Sequence, residues 1–406
     1  MIEFELPPGA KMTKKLVHGL SEGMFRNLSR KYDSYEHEHD EVTELKSIAG
    51  MIQKGGMGGG GSKPKKKKEG EEKDTKEKKP SGAGVTMVVA AEEMAWGDAG
   101  LMLSIPGTGL GNAAINAVAT PEQKERFQGK FAAMAITEPC CGSDSSAIRS
   151  TATLDEEKNE WILNGEKIFV TSGEFCDAVV MWASLDRSKG RPAIKSFVVE
   201  KGTPGMTVTK VEDKLGIRAS DTAAIVFEDC RVPYDNILGS PDIAADGGFK
   251  GVMKTFDHTR PSVAAMAIGV ARAALDLTKE TLDNEGFTFR YDKGQHELGA
   301  VEKAVLEMET NLEVARLLTW RAASMLDTGE RNSLEASMAK AKAGRAATLV
   351  TQKCVEILGP RGYSTQMLVE KWMRDCKIND IFEGTGQIQM LIIARNILGF
   401  GRDKLK

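Results

Sequence analysis

Among the six cysteines, at positions 140, 141, 176, 230, 354 and 376, there is no C-x-x-C pair and no spacing of a disulfide framework. That points to a reducing compartment, with the cytoplasm as the expected location. The N-terminal MIEFELPPGAKMTKK lacks an apolar h-region, so no signal peptide is expected and the chain is read as starting inside the cell. Unbroken apolar runs of membrane-spanning length are missing too. The longest uncharged stretch, Leu101 to Thr120, is interrupted by Pro106, Gly107, Gly109 and Gly111; it reads as a buried helix-loop-helix, with no membrane span. A formal net charge of only -3 gives no broad basic surface, so a nucleic-acid partner is not expected. No G-x-G-x-x-G follows a strand and opens a helix, which disfavours a Rossmann nicotinamide site.

What is present is a chain of 406 residues, 41% hydrophobic, long enough for two or three globular domains with large cores. Apolar positions recur at helical spacing from residue 12 to 53. Within them His37-Glu38-His39-Asp40 looks like a ligand cluster, but side chains at i and i+2 diverge on a helix, so a solvated charged face is expected and no metal. Residues 55 to 84 form a glycine cluster followed by KPKKKKEGEEKDTKEKKP; with no apolar residue after Met57 until Ala83 they cannot bury a core and are predicted to be a disordered insertion. Acidic residues close behind the lysines weaken the alternative of a basic docking arm. Helical pattern returns from Val85, with Pro121 reading as a helix start.

The period changes between Ala135 and Pro233. Short alternating or β-branched runs, Trp161 to Leu163, Lys167 to Thr171, Ala178 to Ala183, Ser196 to Val199 and Ala224 to Phe227, predict a small antiparallel β domain, with Asn164-Gly165 as a hairpin signal. After Gly247-Gly248 helical pattern resumes over Pro261 to Leu282, Leu298 to Thr328 and Leu334 to Leu358. The predicted fold class is α+β, mainly α: an N-terminal helical domain at 1–133, a middle antiparallel β domain at 134–242 and a C-terminal four-helix-bundle domain at 243–406. The most suggestive chemistry lies in Asp380-Ile381-Phe382-Glu383-Gly384-Thr385-Gly386-Gln387, between two helical runs. The glycines at 384 and 386 break the chain there, so Glu383 is expected to project into a pocket. From the residues alone it is either a base or an acceptor of backbone hydrogen bonds at a helix start.

Four segments in this order resemble the acyl-CoA dehydrogenase family over nearly the whole chain outside the 55–84 insertion. They are AITEPCCGSD at Ala135 to Asp144, WILNGEKIFVT at Trp161 to Thr171, FDHTRP at Phe256 to Pro261, and EKWMRDCKINDIFEGTGQIQ at Glu370 to Gln389. The resemblance implies FAD-dependent α,β-dehydrogenation of an acyl-CoA thioester to the 2-enoyl-CoA. Glu383 would be the base for the α proton, and the β hydride would go to flavin N5. No side chain accepts a hydride, so such a reaction requires a cofactor, and burial beside Phe382 would raise the carboxyl toward working pH. Some relatives place the base in the FDxTRP turn; that position here is Thr259, which cannot serve. FAD contacts are implied for Ile136, Thr137, Gly142, Ser143, Phe169, Thr171, Gly359, Thr385 and Gln387. Substrate contacts are implied for Ser143, Asp257, Arg260, Phe382 and Gly384. A lone strand aromatic such as Phe169 is otherwise a core residue, and Arg260 could simply pair with an acid near the helix start.

The chain also departs from the family pattern. Cys140-Cys141 stand where relatives have small residues, and read as small buried cysteines. Gly286 takes the place of an arginine that in the family reaches the FAD of a neighbouring subunit, with Arg290 a possible substitute. The glycine-rich turn at the adenosine end reads Gly359-Pro360-Arg361-Gly362, where Arg361 would supply charge. These changes keep open a flavin-poor structural subunit of a hetero-oligomer, while length disfavours an oxygen-using acyl-CoA oxidase. The implied partners are an electron-transferring flavoprotein and sister subunits of a homotetramer. Leu101 to Ala119 contains no Arg or Lys, which favours a neutral acyl chain.

Overall fold

The computed structural model describes residues 5–34, 82–105, 109–243 and 250–401. The His37–Asp40 cluster, residues 55–81 of the insertion, Pro106, Gly107 and Gly247-Gly248 lie outside the described residues. Among the described residues six α-helices come first: α1 (Pro8–Leu20), α2 (Arg26–Ser29), α3 (Ala83–Gly97), α4 (Ala99–Leu103), α5 (Leu110–Val118) and α6 (Pro121–Arg126). The start of α6 follows the proline rule and adds a reciprocal cap, in which Thr120 Oγ1 accepts from Gln123 N and Gln123 Oε1 from Thr120 N.

Seven strands follow: β1 (Ala132–Ala135), β2 (Thr151–Asp155), β3 (Glu160–Thr171), β4 (Ala178–Ser184), β5 (Ile194–Glu200), β6 (Met206–Val211) and β7 (Thr222–Pro233). All residues of β4 are buried. Its alternate side chains feed two cores, Val179, Met181 and Ala183 on one face and Ala178, Val180 and Trp182 on the other. β1 and β2 both run parallel to β4 along one edge, and β5 pairs antiparallel along the other. The sheet is therefore mixed, where the sequence predicts an antiparallel one. Alternation reports which face is buried and is blind to strand direction.

Asn164-Gly165 is not a hairpin turn. It is a bulge inside β3, where the register against β7 shifts between Leu163 and Gly165, and the reversal falls at residues 156–159 between β2 and β3. The long β3–β7 ladder overrides the local turn preference.

The C-terminal unit comprises α7 (Lys250–Asn284), α8 (Ala300–Thr328), α9 (Ser333–Leu358), α10 (Pro360–Tyr363), α11 (Val369–Cys376) and α12 (Gly386–Leu398). The FDHTRP segment, read from sequence as a turn, is helical, and α7 runs through Pro261. Proline removes one helix hydrogen bond. Burial of Ala264, Ala267, Ile268, Ala271 and Leu275 in the bundle core carries the helix on regardless. Thr255–Asn284 is long and apolar enough to cross a membrane, but 78% of its apolar window is buried inside the fold, as in the core helix of a bundle.

Lys371 on α11 ties the three units together. Its Nζ donates to Asp98 Oδ2 at 2.6 Å and Asp375 Oδ2 at 2.5 Å. Asp98 caps α4 by accepting from Leu101 N, and Asp375 Oδ1 accepts from Ile217 N in the middle unit. The stem that leads to Glu383 is thereby fixed to the N-terminal helices and to the β domain at once.

Candidate active site

α11 passes into a single 3-10 turn, Lys377–Asp380, and the chain then reverses before α12. Two consecutive residues make that reversal with left-handed backbones, Glu383 at φ 52 and Gly384 at φ 89. Glycine is required at 384 twice over, by the sign of φ and because a Cβ there would stand 2.5 Å from Gln389 Nε2. A left-handed glutamate is uncommon and persists only where its surroundings hold it. The helix cap is Thr385, whose Oγ1 accepts from Ile388 N at 3.3 Å. The Glu383 carboxylate is thus released from capping, which removes the second of its two sequence readings. Its Oε2 accepts from the Thr259 hydroxyl at 2.6 Å. Burial pushes the carboxyl above its ordinary range, with the Thr259 bond and the charges of Arg260 and Lys340 opposing that rise.

A second group of residues lies where β1 leaves the sheet beside β3. Ile168 N donates to Thr137 O at 2.9 Å, which sets the two segments side by side. Gly142 and Ser143 are exposed, Thr137 and Thr171 are half-exposed, and Ile136 is buried. Phe169 is 60% exposed with φ 56 at a bulge of β3, so it is not the core aromatic that strand position alone predicts. Among the described residues, no protein group bonds the hydroxyls of Thr137, Ser143 and Thr171. An exposed ring on a left-handed bulge beside unclaimed hydroxyls fits a planar, hydrogen-bonding cofactor such as a flavin. Phe256, one turn before Thr259 on α7, packs against the core cluster that contains Ile136 and Cys141, and so joins this edge to the Glu383 turn.

The remaining expected residues separate. Arg260 is 2% exposed and donates to Asp257 at 2.9 Å, while the other Asp257 oxygen takes the Ser333 hydroxyl. Arg260 thus pairs with an acid of its own helix, and its buried Nε has no hydrogen-bond partner among the described residues. Phe382 is half-buried against the bundle core, and Thr385 and exposed Gln387 begin α12. Gly359 ends α9 nineteen residues beyond Lys340, about 28 Å along the helix, so a single chain does not bring it to Glu383. Arg361 is bonded to Glu285, and Arg290 is engaged by Glu302 at 2.6 Å, so neither guanidinium stands free. Cys141 is buried as expected; Cys140 is exposed.

Sequence reasoning missed three supports. Glu138 and Lys167 form a buried pair at 2.7 Å behind the Thr137 loop. Burial works against the Glu138 carboxylate, but Lys167, Ser150 and the Arg149 N–H outweigh it and hold its pKa at about 2. Glu138, Cys140 and Cys141 lie within 4.8 Å of one another, yet a carboxylate so fully engaged is poorly placed to ligate a metal. Lys340 and Gln389 reach the Glu383 turn from α9 and α12. For Lys340 a signal exists: it falls at helical spacing among Ala336, Ala343 and Ala347, a lysine on an otherwise apolar stripe.

Comparison with known proteins places this geometry. Residues 133–230 match the model of the acyl-CoA dehydrogenase middle domain, and residues 246–398 that of the acyl-CoA dehydrogenase C-terminal domain. The rat mitochondrial short-chain specific acyl-CoA dehydrogenase is 38% identical over 336 residues, covering 78% of this chain and 77% of the relative. Butyryl-CoA dehydrogenase from Megasphaera elsdenii superposes with a TM-score of 0.83 at 30% identity, covering 98% of this chain and 100% of the other. A chain in the structure described as the electron transferring flavoprotein of Acidaminococcus fermentans superposes at 0.80, also 30% identical, covering 98% and 100%. With four motifs in order, a helix–sheet–helix fold and relatives matched over most of their length, the chain belongs to the acyl-CoA dehydrogenase family of FAD-dependent oxidoreductases.

Proposed function

We propose that the chain oxidises a short, neutral acyl-CoA to its 2-enoyl-CoA, with Glu383 as the base for the α proton. The observation that carries this reading is the carboxylate itself, aimed from a left-handed turn, freed from capping and held by Thr259 at 2.6 Å. Bound FAD supplies the hydride acceptor for the β hydrogen. Thr137, Ser143, Phe169 and Thr171 would hold its ring, with Ile136 and Gly142 shaping the loop and Thr385 and Gln387 closing from α12. The raised pKa of Glu383 makes it a stronger base than an ordinary carboxylate, and its half-buried setting keeps bulk water from levelling it. Leu101 and Ile105 are buried, and Leu101 to Ala119 offers no cation for a second carboxylate, which supports a neutral acyl group.

Short-chain preference is supported by the names of the rat and Megasphaera relatives. An electron-transferring flavoprotein as acceptor is supported by the Acidaminococcus neighbour. Exposed Met390, Ile397 and Leu398 on α12 support association of copies, as a homotetramer. Six free cysteines support a cytoplasmic, reducing setting.

The test is a panel of acyl-CoA thioesters from four to sixteen carbons, assayed with an artificial electron acceptor on purified yellow protein. Turnover is expected to be greatest at the short end. A colourless protein that takes up no FAD would favour a structural subunit, and peroxide formed at the turnover rate would favour an oxidase.

Thr259→Val removes the hydroxyl that favours the ionised carboxylate. Glu383 is then expected to titrate higher, so the acid limb of the pH–rate profile moves upward. At neutral pH the rate falls by about three- to tenfold, the equivalent of one hydrogen bond. An unmoved acid limb would show that this bond does not tune the base.

A further inference from the structure

We propose that Lys340 is a positioning residue for this reaction: its buried ammonium, bonded to the Gly384 carbonyl and, among the described residues, to no carboxylate, clamps the turn that aims Glu383, and its charge favours the ionised form of that carboxylate. The inference rests on the reading of Glu383 as the base and extends it to a residue on another helix.

Three lysines of the chain are among its largest fully buried side chains, Lys167, Lys340 and Lys371. Burying an ammonium is unfavourable unless something takes its charge. Lys167 and Lys371 meet that requirement with bonded carboxylates at 2.5–2.7 Å. Lys340 does not. From the alanine stripe of α9 its Nζ donates to the backbone carbonyl of Gly384 at 2.6 Å, and among the described residues no carboxylate is bonded to it.

That carbonyl follows directly on Glu383 and belongs to the second of the two left-handed residues. Gln389, fully buried on α12, reaches the same place: its Nε2 donates to Glu383 O at 3.2 Å and Gly384 O at 3.0 Å. The strained reversal is held from two helices through its backbone, and from α7 through Thr259 on the carboxylate. A left-handed backbone is unfavourable for a non-glycine residue, so without such bonds the turn would relax and the carboxylate would swing from its aim. Of these holding groups only Lys340 also carries a charge.

The charged groups that act on Lys340 are Asp380, Glu383 and Arg260; those that act on Glu383 are Arg260 and Lys340. Arg260 is already bonded to Asp257. Lys340 has no bonded carboxylate among the described residues, and its charge adds to that of Arg260 in favouring the ionised Glu383. Burial brings Lys340 itself down to about 8, with Asp380 and Glu383 opposing that fall. It is an ammonium at neutral pH, and it loses that state only at alkaline pH.

Lys340→Met keeps length and volume while removing donor and charge; Lys340→Gln restores a neutral donor. The measurement is anaerobic reduction of the bound flavin by butyryl-CoA as a function of pH, together with amide hydrogen exchange over residues 383–387. In Lys340→Met the reduction is expected to slow by about ten- to a hundredfold, the range for a misplaced catalytic group, with flavin content unchanged. Removing a charge that lowers the Glu383 pKa lets that pKa rise, so the acid limb moves to higher pH, and exchange at 383–387 quickens. Lys340→Gln is expected to restore slow exchange and leave the acid limb displaced; it is read alone if the Met variant does not fold. An acid limb at the wild-type position in the folded variant overturns the inference, even if the rate falls, because a merely structural lysine would do that. Glu383→Gln is run alongside. If it is inactive while Lys340→Met keeps the wild-type limb, only the Lys340 inference falls; if Glu383→Gln reduces flavin normally, the base assignment falls first.

Discussion

Glu383→Gln is expected to bind FAD and acyl-CoA as the wild type does and to lose about 10²- to 10⁴-fold in turnover, the range associated with a general base. The substitution keeps shape and an oxygen for the Thr259 hydroxyl, and it leaves the backbone bonds from Lys340 and Gln389 in place. Nothing that holds the turn is lost; only the ability to take a proton goes. The wild-type acid limb should lie above the ordinary carboxylate range, because burial raises the Glu383 pKa and the base works only above it. Steady-state turnover with an artificial acceptor, read beside the flavin spectrum, checks both halves. Near-normal turnover with bound flavin would refute the assignment.

Lys371→Met is expected to destabilise the fold by about 3–5 kcal/mol, the usual result of removing one partner from a buried ion pair. Asp98 and Asp375 are both fully buried, and without Lys371 they would confront each other with no cation between them. Burial works against the Lys371 ammonium, but Asp375 and Asp98 outweigh it and hold it charged. Burial already raises the Asp375 carboxyl, and Lys371 is the main group opposing that rise, so in the variant it goes higher still. The stability lost at neutral pH should therefore be partly regained as pH falls toward protonation of Asp375, the opposite of ordinary acid destabilisation. Urea unfolding at pH 7 and pH 5 measures this directly. A variant with wild-type stability at pH 7 would mean that this junction is not what ties α11 to the other two units.

Much of this molecule is legible in its sequence because the governing signals are local. Gly384 announces the reversal that frees Glu383, while Gly386 already begins α12, and the apolar run of β4 announces a strand. Pro121 announces the start of α6. What escapes reading is set by contacts distant along the chain. Thr259 is visible in sequence as a residue that cannot be a base, but its bond to Glu383 spans 124 positions and leaves no local trace. Asn164-Gly165 has the chemistry of a turn and becomes a bulge because the ladder of β3 with β7 outweighs it. Pro261 sits inside α7 for the same kind of reason, with a buried apolar stripe prevailing over one missing donor. Strand position alone would make Phe169 core, but a left-handed bulge turns it out of the sheet and leaves it exposed. Tertiary packing overrides local preference at each of these places.

The most direct test of the proposed chemistry is a single anaerobic turnover. Purified wild-type protein, carrying its flavin, is mixed with butyryl-CoA; flavin absorbance is followed and the thioester product is identified. The expected result is loss of the oxidised-flavin band in step with one equivalent of 2-enoyl-CoA. Flavin that stays oxidised with every acyl-CoA from four to sixteen carbons would contradict the proposed reaction.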